Sequence, residues 1–182
     1  EGTILEMMTA GRIDLTIESY YEKISHKTAC LIAACCKGGA IVSQASDDEI
    51  VLLNKYGQNL GIAFQIIDDV LDYTEDQATI GKPAGNDLRQ GMVTLPLIYA
   101  LQEQPSNGHY QLVQGLLNGT PHKEEEIHTV VNWVTKGHGV ERSLADAYSY
   151  ANRARHALYH FPPSANRDVL DELIDFVVSR KH

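Results

Sequence analysis

The sequence predicts an all-α protein, a bundle of eight or so helices, and three observations carry that expectation. Apolar residues recur three and four positions apart along most of the 182 residues. No stretch alternates apolar and polar residues between turn signals, as a half-buried strand would. Helix starts and stops are marked by capping residues, glycines and prolines at sensible spacings. Several long apolar helices around one core is the architecture these signals favour.

Each element follows in order. Ile4, Leu5, Met7 and Met8 open a first helix that breaks near Gly11. Asp14 or Thr16 caps a second helix beginning around Ile17, on which Tyr20, Tyr21, Ile24, Thr28, Leu31, Ile32 and Cys35 keep the helical period. Residues 29–36 are apolar and small, which predicts a central helix that neighbours approach closely; Gly38 and Gly39 end or interrupt it. Ser46 with Glu49 three positions later forms a capping box for a long helix carrying Ile50, Leu53, Tyr56, Leu60 and Ile67, kinked at Gly57 or Gly61. Residues 73–91 read as a loop containing Gly81, Pro83, Gly85 and Gly91. A further helix starts near Val93 with Pro96 in its first turn, where proline is tolerated. Residues 110–117, 127–135 and 140–158 read as three more helices, with Lys123-Glu124-Glu125-Glu126 as a solvated first turn of the middle one. Pro162-Pro163 breaks the chain before a last helix, residues 167–180, with Val169, Leu170, Leu173, Phe176 and Val177 on one face.

Length suits one domain with a sizeable core. A formal charge of −9, from 15 Lys and Arg against 24 Asp and Glu, argues against a nucleic-acid binder but not against a phosphorylated substrate. Cys30, Cys35 and Cys36, an odd number without framework spacing, read as reduced, buried thiols in a cytoplasmic protein. No apolar run reaches the roughly 18 residues of a membrane span. The chain begins with Glu1, as a processed product or fragment would.

The chemistry concentrates in Gln65-Ile66-Ile67-Asp68-Asp69-Val70-Leu71-Asp72. On a helix, Asp68 and Asp72 share a face, Asp69 lies beside Asp68, and Gln65 stands one turn earlier. Carboxylates crowded on an otherwise apolar helix repel one another and demand positive charge: Lys and Arg, or a hard divalent cation such as Mg²⁺. A plain solvated acidic face is the other reading. The glycine-rich stretch that follows supplies Lys82, Asp87 and Arg89 and is not a Walker loop. Lys27-Thr28 enters the small-residue helix, where a lysine either snorkels to water or meets an anion. His156 and His160, four apart without a third ligand nearby, read as surface histidines.

These motifs together resemble the second aspartate-rich region of trans-isoprenyl (polyprenyl) diphosphate synthases. The matching runs are Phe64-Gln65-Ile66-Ile67-Asp68-Asp69-Val70-Leu71-Asp72-Tyr73, then Gly81-Lys82-Pro83-Ala84-Gly85-Asn86-Asp87-Leu88, then Val93-Thr94-Leu95-Pro96-Leu97. The run from Tyr21-Glu22-Lys23 to Lys27-Thr28-Ala29 resembles that family's Lys-Thr helix, and Arg155-His156-Ala157-Leu158, Phe161-Pro162, Leu170, Leu173, Phe176-Val177-Val178 and Arg180 resemble its closing helices. The likeness runs along the whole chain, residues 1–182, which looks like the C-terminal part of one such domain.

The resemblance implies an all-α isoprenoid-synthase bundle around an apolar cavity, here partial and lacking the N-terminal helices. It implies Mg²⁺-dependent condensation of isopentenyl diphosphate with an allylic diphosphate to a longer polyprenyl diphosphate, in the medium- to long-chain style. By carry-over, Asp68 is a direct Mg²⁺ ligand, Asp69 and Asp72 complete the motif, and Asp87 supports metal-bound water. Lys27 and Lys82 hold the allylic diphosphate, and Thr28 and Gln65 line the reacting centre. Two departures stand out: the family's first aspartate-rich motif is absent from these residues, and Met92 stands where the family often has lysine. The chain alone is therefore expected to be inactive. The alternative is a non-catalytic or regulatory subunit of a heteromeric synthase; a terpene cyclase of the same fold fits the Gly81 to Leu88 loop less well. The partner expected is a second copy or a related chain, as a homodimer or heterodimer.

Overall fold

The computed structural model describes residues 2–74, 84–103, 107–118 and 123–180. Among the described residues every regular element is helical, as expected. The helices are α1 (Gly2–Thr9), α2 (Ile17–Ile24), α3 (Cys30–Val42), α4 (Asp47–Thr74), α5 (Asn86–Arg89), α6 (Leu95–Gln102), α7 (Asn107–Leu117), α8 (Glu124–Lys136), α9 (Gly139–Leu158) and α10 (Ala165–Ser179). A π-helical turn, Ser25–Ala29, joins α2 to α3.

The caps at Thr16 and Ser46 are those the sequence implies, and Ser164 adds a third that starts the last helix two residues earlier than expected. Thr16 is extended and accepts the Ser19 N–H at 3.2 Å, starting α2 at Ile17. At the head of α4 the Ser46 N–H and hydroxyl donate to Glu49 at 2.8 and 2.7 Å. Ser164 accepts from the Arg167 N–H at 3.2 Å and starts α10. Each cap satisfies donors that a helix start would otherwise leave bare.

The centre is α4, not α3. It is 28 residues long, about 42 Å at 1.5 Å per residue. It runs as one helix through Gly57 and Gly61, which serve close packing instead of ending a segment. A Cβ at Gly57 would stand 2.8 Å from the Ala33 Cα, and one at Gly61 would stand 2.6 Å from the Ala29 Cα. On the neighbouring side Ala147, Ala151, Ala154 and Ala157 bury a line of small side chains from α9. One core cluster joins α2, the C-terminal half of α4, and α6 to α8, with Ile66, Ile67, Leu88, Leu95, Leu97 and Val130 among its members. A second joins the N-terminal half of α4 to α9 and α10 through Tyr56, Leu60, Leu158, Ile174 and Val177.

Three expectations are corrected. Helix α3 continues past Gly38 and Gly39 to Val42, because packing on α4 outweighs the roughly 1 kcal/mol that each helical glycine costs. That helix buries only one side: Ala33 and Ala40 are covered, whereas Leu31, Ile41 and Val42 are exposed, and so are Cys30 and Cys35. The thiols are thus not a buried set. In α10 the covered residues are Ile174 and Val177, and Val169, Leu173 and Phe176 form an exposed apolar stripe. Periodicity finds that an apolar face exists, but a helix with two such faces does not say which is covered. His156 and His160 are exposed, as expected. No helix of the described residues is long and apolar enough to cross a membrane.

Candidate functional site

The acidic stripe of α4 opens onto a cavity walled by α1, α2, the π turn and the strand-free segment after α5. Its lining includes Lys23, Lys27, Gln65, Asp68, Asp69 and Asp87, with Glu6, Met92 and Thr94 on the facing walls. Lys27 and Thr28 both lie in the π turn, whose extra residue per turn re-aims side chains that a regular α-helix would send elsewhere.

A hydrogen-bonded chain crosses the cavity floor. The Thr28 hydroxyl donates to Gln65 Oε1 at 2.7 Å, and Gln65 Nε2 donates to Asp69 Oδ1 at 2.8 Å. The other Asp69 oxygen accepts the Tyr20 hydroxyl at 2.6 Å. Asp69 is buried, and burial pushes its carboxyl up to about 6 against the opposing pull of Tyr20, Gln65 and Lys23. Gln65 thereby fixes Thr28 and Asp69 together.

Asp68 is exposed and accepts from Arg180 Nη2 at 2.9 Å. The Arg180 guanidinium, just past α10, also lies 4.4 Å from the Phe64 ring centroid, and its Nε is buried without a hydrogen-bond partner among the described residues. Asp72 does a different job from its neighbours. Its two oxygens accept the backbone N–H groups of Asn86 and Asp87 at 3.0 and 3.1 Å, tying the end of α4 to the start of α5. It does not line the cavity; burial raises its carboxyl. Asp87 does line the cavity, and burial followed by repulsion from Asp72, Asp69 and Asp68 pushes it up to about 8. Gly85, one residue before α5, is left-handed at φ +81 and packs against Ile127 and Val131, where a Cβ would stand 2.9 and 2.8 Å from their methyls. Lys27 is exposed and forms an ion pair with Glu6 of α1. The residue Lys82 lies outside the described residues.

The structure therefore brings Lys27, Gln65, Asp68, Asp69 and Asp87 to one cavity, joins Thr28 to it through Gln65, and sets Asp72 behind it as a cap. Sequence reasoning placed Tyr20 on the apolar period of α2, and Lys23 and Arg180 in the runs that carry the resemblance, but gave none of them, nor Glu6, a role in the site. The signal for Lys23 was available: it stands four positions before Lys27 and so shares its face. Nothing local shows that Glu6 reaches the cavity or that Arg180 reaches Asp68; both do so only through the fold.

The donor set suits a hard cation. Oxygen ligands predominate, and mutual repulsion between carboxylates is what a divalent ion would relieve. Among the described residues no three such groups converge into a ready-made metal centre.

The family model for polyprenyl synthetase matches residues 1–134. The chain belongs to the polyprenyl synthetase family. Its relatives in that family include a prenyl transferase of Synechocystis sp., 37% identical over the whole chain and 54% of the relative. Heptaprenyl diphosphate synthase component 2 of Geobacillus stearothermophilus is 34% identical over the whole chain and 55% of its own length. Among solved structures of the family, a polyprenyl synthase from Caulobacter crescentus CB15, complexed with calcium and isoprenyl diphosphate, superposes with a TM-score of 0.92 at 34% identity, over all of this chain and 55% of that one. A decaprenyl diphosphate synthase from Rhodobacter capsulatus superposes with a TM-score of 0.89 at 32% identity, over 98% of this chain and 55% of that one. The all-α isoprenoid-synthase fold is shared with these structures. The chain spans about half the length of the curated relatives it matches.

Proposed function

We propose that the polypeptide carrying this chain is a trans-prenyltransferase that condenses isopentenyl diphosphate with an allylic diphosphate, Mg²⁺-dependently, to give a medium- or long-chain polyprenyl diphosphate. The observation that carries this reading is the meeting, in one cavity, of Asp68, Asp69 and Asp87 with Lys27 and the Thr28–Gln65 pair. We further propose that residues 1–182 form the C-terminal part of one larger helical domain. Exposed Cys30 and Cys35 fit a reducing compartment, and the cytoplasm is the compartment we propose.

In this reading Asp68 would be the direct Mg²⁺ ligand, Asp69 and Asp87 would act through metal-bound water, and Asp72 keeps α5 in place. Bound Mg²⁺ would supply charge neutralisation for the departing diphosphate. The allylic C–O bond breaks and its electron pair leaves with the diphosphate, held by Lys27 and Lys82. The double bond of isopentenyl diphosphate then forms the new C–C bond to the allylic cation, and one proton is lost. Thr28, oriented by Gln65, and the diphosphate oxygens are the candidate acceptors of that proton. Glu6 pairs with the Lys27 ammonium and Arg180 with Asp68, contacts that a bound diphosphate and Mg²⁺ would replace.

The test is Mg²⁺-dependent incorporation of isopentenyl diphosphate by the natural polypeptide. Extension of an allylic diphosphate that is lost on chelation supports the reading; no extension by this polypeptide, alone or with any related chain, overturns it. A second reading has its own support: a regulatory subunit of a heteromeric synthase. Met92 leaves an uncharged side chain in the cavity wall, one relative is named component 2 of a heptaprenyl diphosphate synthase, and α3 and α10 expose apolar faces suited to a related chain or a second copy. Activity restored only on adding a second polypeptide would favour it.

A further inference from the structure

We propose that Lys23 is a further diphosphate-binding residue of the cavity, a second positive charge delivered from α2 beside Lys27. The inference rests on reading the cavity as a prenyl diphosphate site.

The argument starts from burial. Lys23 is 5% exposed, and its side chain lines the cavity. An ammonium has three N–H donors. Among the described residues the Lys23 ammonium makes one hydrogen bond, to the Val93 carbonyl at 3.3 Å. Two donors thus remain without a protein partner, in a side chain that water barely reaches. Its other contact is the face of the Tyr20 ring, 5.5 Å from Nζ to the centroid. No described carboxylate stands within ion-pair distance, although Asp69 and Glu6 are close enough to be felt. A lysine kept only to neutralise Asp69 would be expected to bond it directly. Here the Asp69 oxygens are taken by Tyr20 and Gln65 instead.

A buried, half-partnered ammonium is costly unless something negative comes to it. The cavity is where that can happen: Lys27 lies on the same wall four residues later, and the facing wall is Met92 and Thr94. Met92 is next in sequence to Val93, whose carbonyl anchors Lys23, and it brings no charge of its own. Among the described residues that line the cavity, the cations are thus Lys23 from α2 and Lys27 from the π turn. A phosphate oxygen entering between Lys27 and Thr94 would take up the free donors of Lys23.

The experiment uses the natural polypeptide with Lys23→Met, Lys23→Arg and the double variant Lys23→Met with Met92→Lys. Two readouts are taken: KM for an allylic diphosphate, and the rise in melting temperature given by inorganic pyrophosphate. Loss of a charged contact is expected to raise KM about tenfold or more in K23M and to shrink the pyrophosphate-induced rise. K23R should retain most of both, and M92K should restore part of both by returning a cation to the cavity. K23M matching the parent in both readouts overturns the proposal. If K23M does not fold, K23Q is read in its place; if that also fails to fold, Lys23 serves the core and the proposal falls. A parent that neither condenses substrates nor is stabilised by pyrophosphate sinks the reading of the cavity itself, and the Lys23 proposal with it. A competent parent with an unaffected K23M sinks only the latter.

Discussion

Asp69 and Asp87 carry carboxyls held above their ordinary range by burial, and for Asp87 also by its neighbours, which makes the folded chain pH-sensitive. Both bind a proton more tightly folded than unfolded. Their contribution to stability is therefore complete below the unfolded carboxylate pKa near 4 and is lost as pH rises toward about 8, the upper of the two values. Without divalent cations the melting temperature should fall between pH 5 and 8, and Asp87→Asn should flatten that slope. A flat profile for the parent would contradict the burial of these groups. Mg²⁺ should recover stability at the alkaline end, and chelation should remove that gain. Tyr20→Phe leaves a buried Asp69 oxygen without its donor, so a loss of about 1–3 kcal/mol is expected by urea denaturation. The same variant should also weaken prenyl transfer, because nothing then orients that oxygen.

At the scale of the element, the close crossing of α3 on α4 depends on having no side chain at Gly61. Gly61→Ala would drive a Cβ to 2.6 Å from the Ala29 Cα, a backbone atom that can yield only if the helices part. Such overpacking is expected to cost about 1–3 kcal/mol, despite the better helix propensity of alanine. Gly38→Ala is the control, since nothing lies within 4 Å of its Cβ position. It should be neutral to stabilising, and denaturation midpoints of the two variants separate packing from propensity. The capping box, the Thr16 cap and the Pro96 start were legible in the sequence because each is complete within four residues. The π turn was not, because it depends on how α2 and α3 seat against α4 rather than on a local signal.

The whole molecule exposes apolar residues on several helices at once: Ile4, Met7 and Met8 on α1, Leu31, Ile41 and Val42 on α3, and Val169, Leu173 and Phe176 on α10. Apolar surface of this extent on separate helices favours association. The 182 residues expressed by themselves should therefore dimerise or aggregate, and should lack prenyltransferase activity. Light scattering decides the first point: a monodisperse monomer across the micromolar range would contradict it.

The sequence by itself determined the all-α class, most helix boundaries to within a few residues, and the identity of the acidic stripe, because caps, breakers and periodicity are short-range and additive. Through the family resemblance it also marked Lys27, Thr28, Gln65, Asp68, Asp69, Asp72, Lys82 and Asp87, for which spacing alone had left bland readings open. Tertiary structure alone decided that Asp72 caps α5 while Asp68, Asp69 and Asp87 face the cavity. It alone brought Tyr20 to Asp69, Thr28 to Gln65, and Arg180 to Asp68 across 112 residues of chain. It also settled which apolar faces are covered. The reason is physical: hydrogen-bond partners and burial are set by which helices pack together, and that choice is made over the whole chain at once.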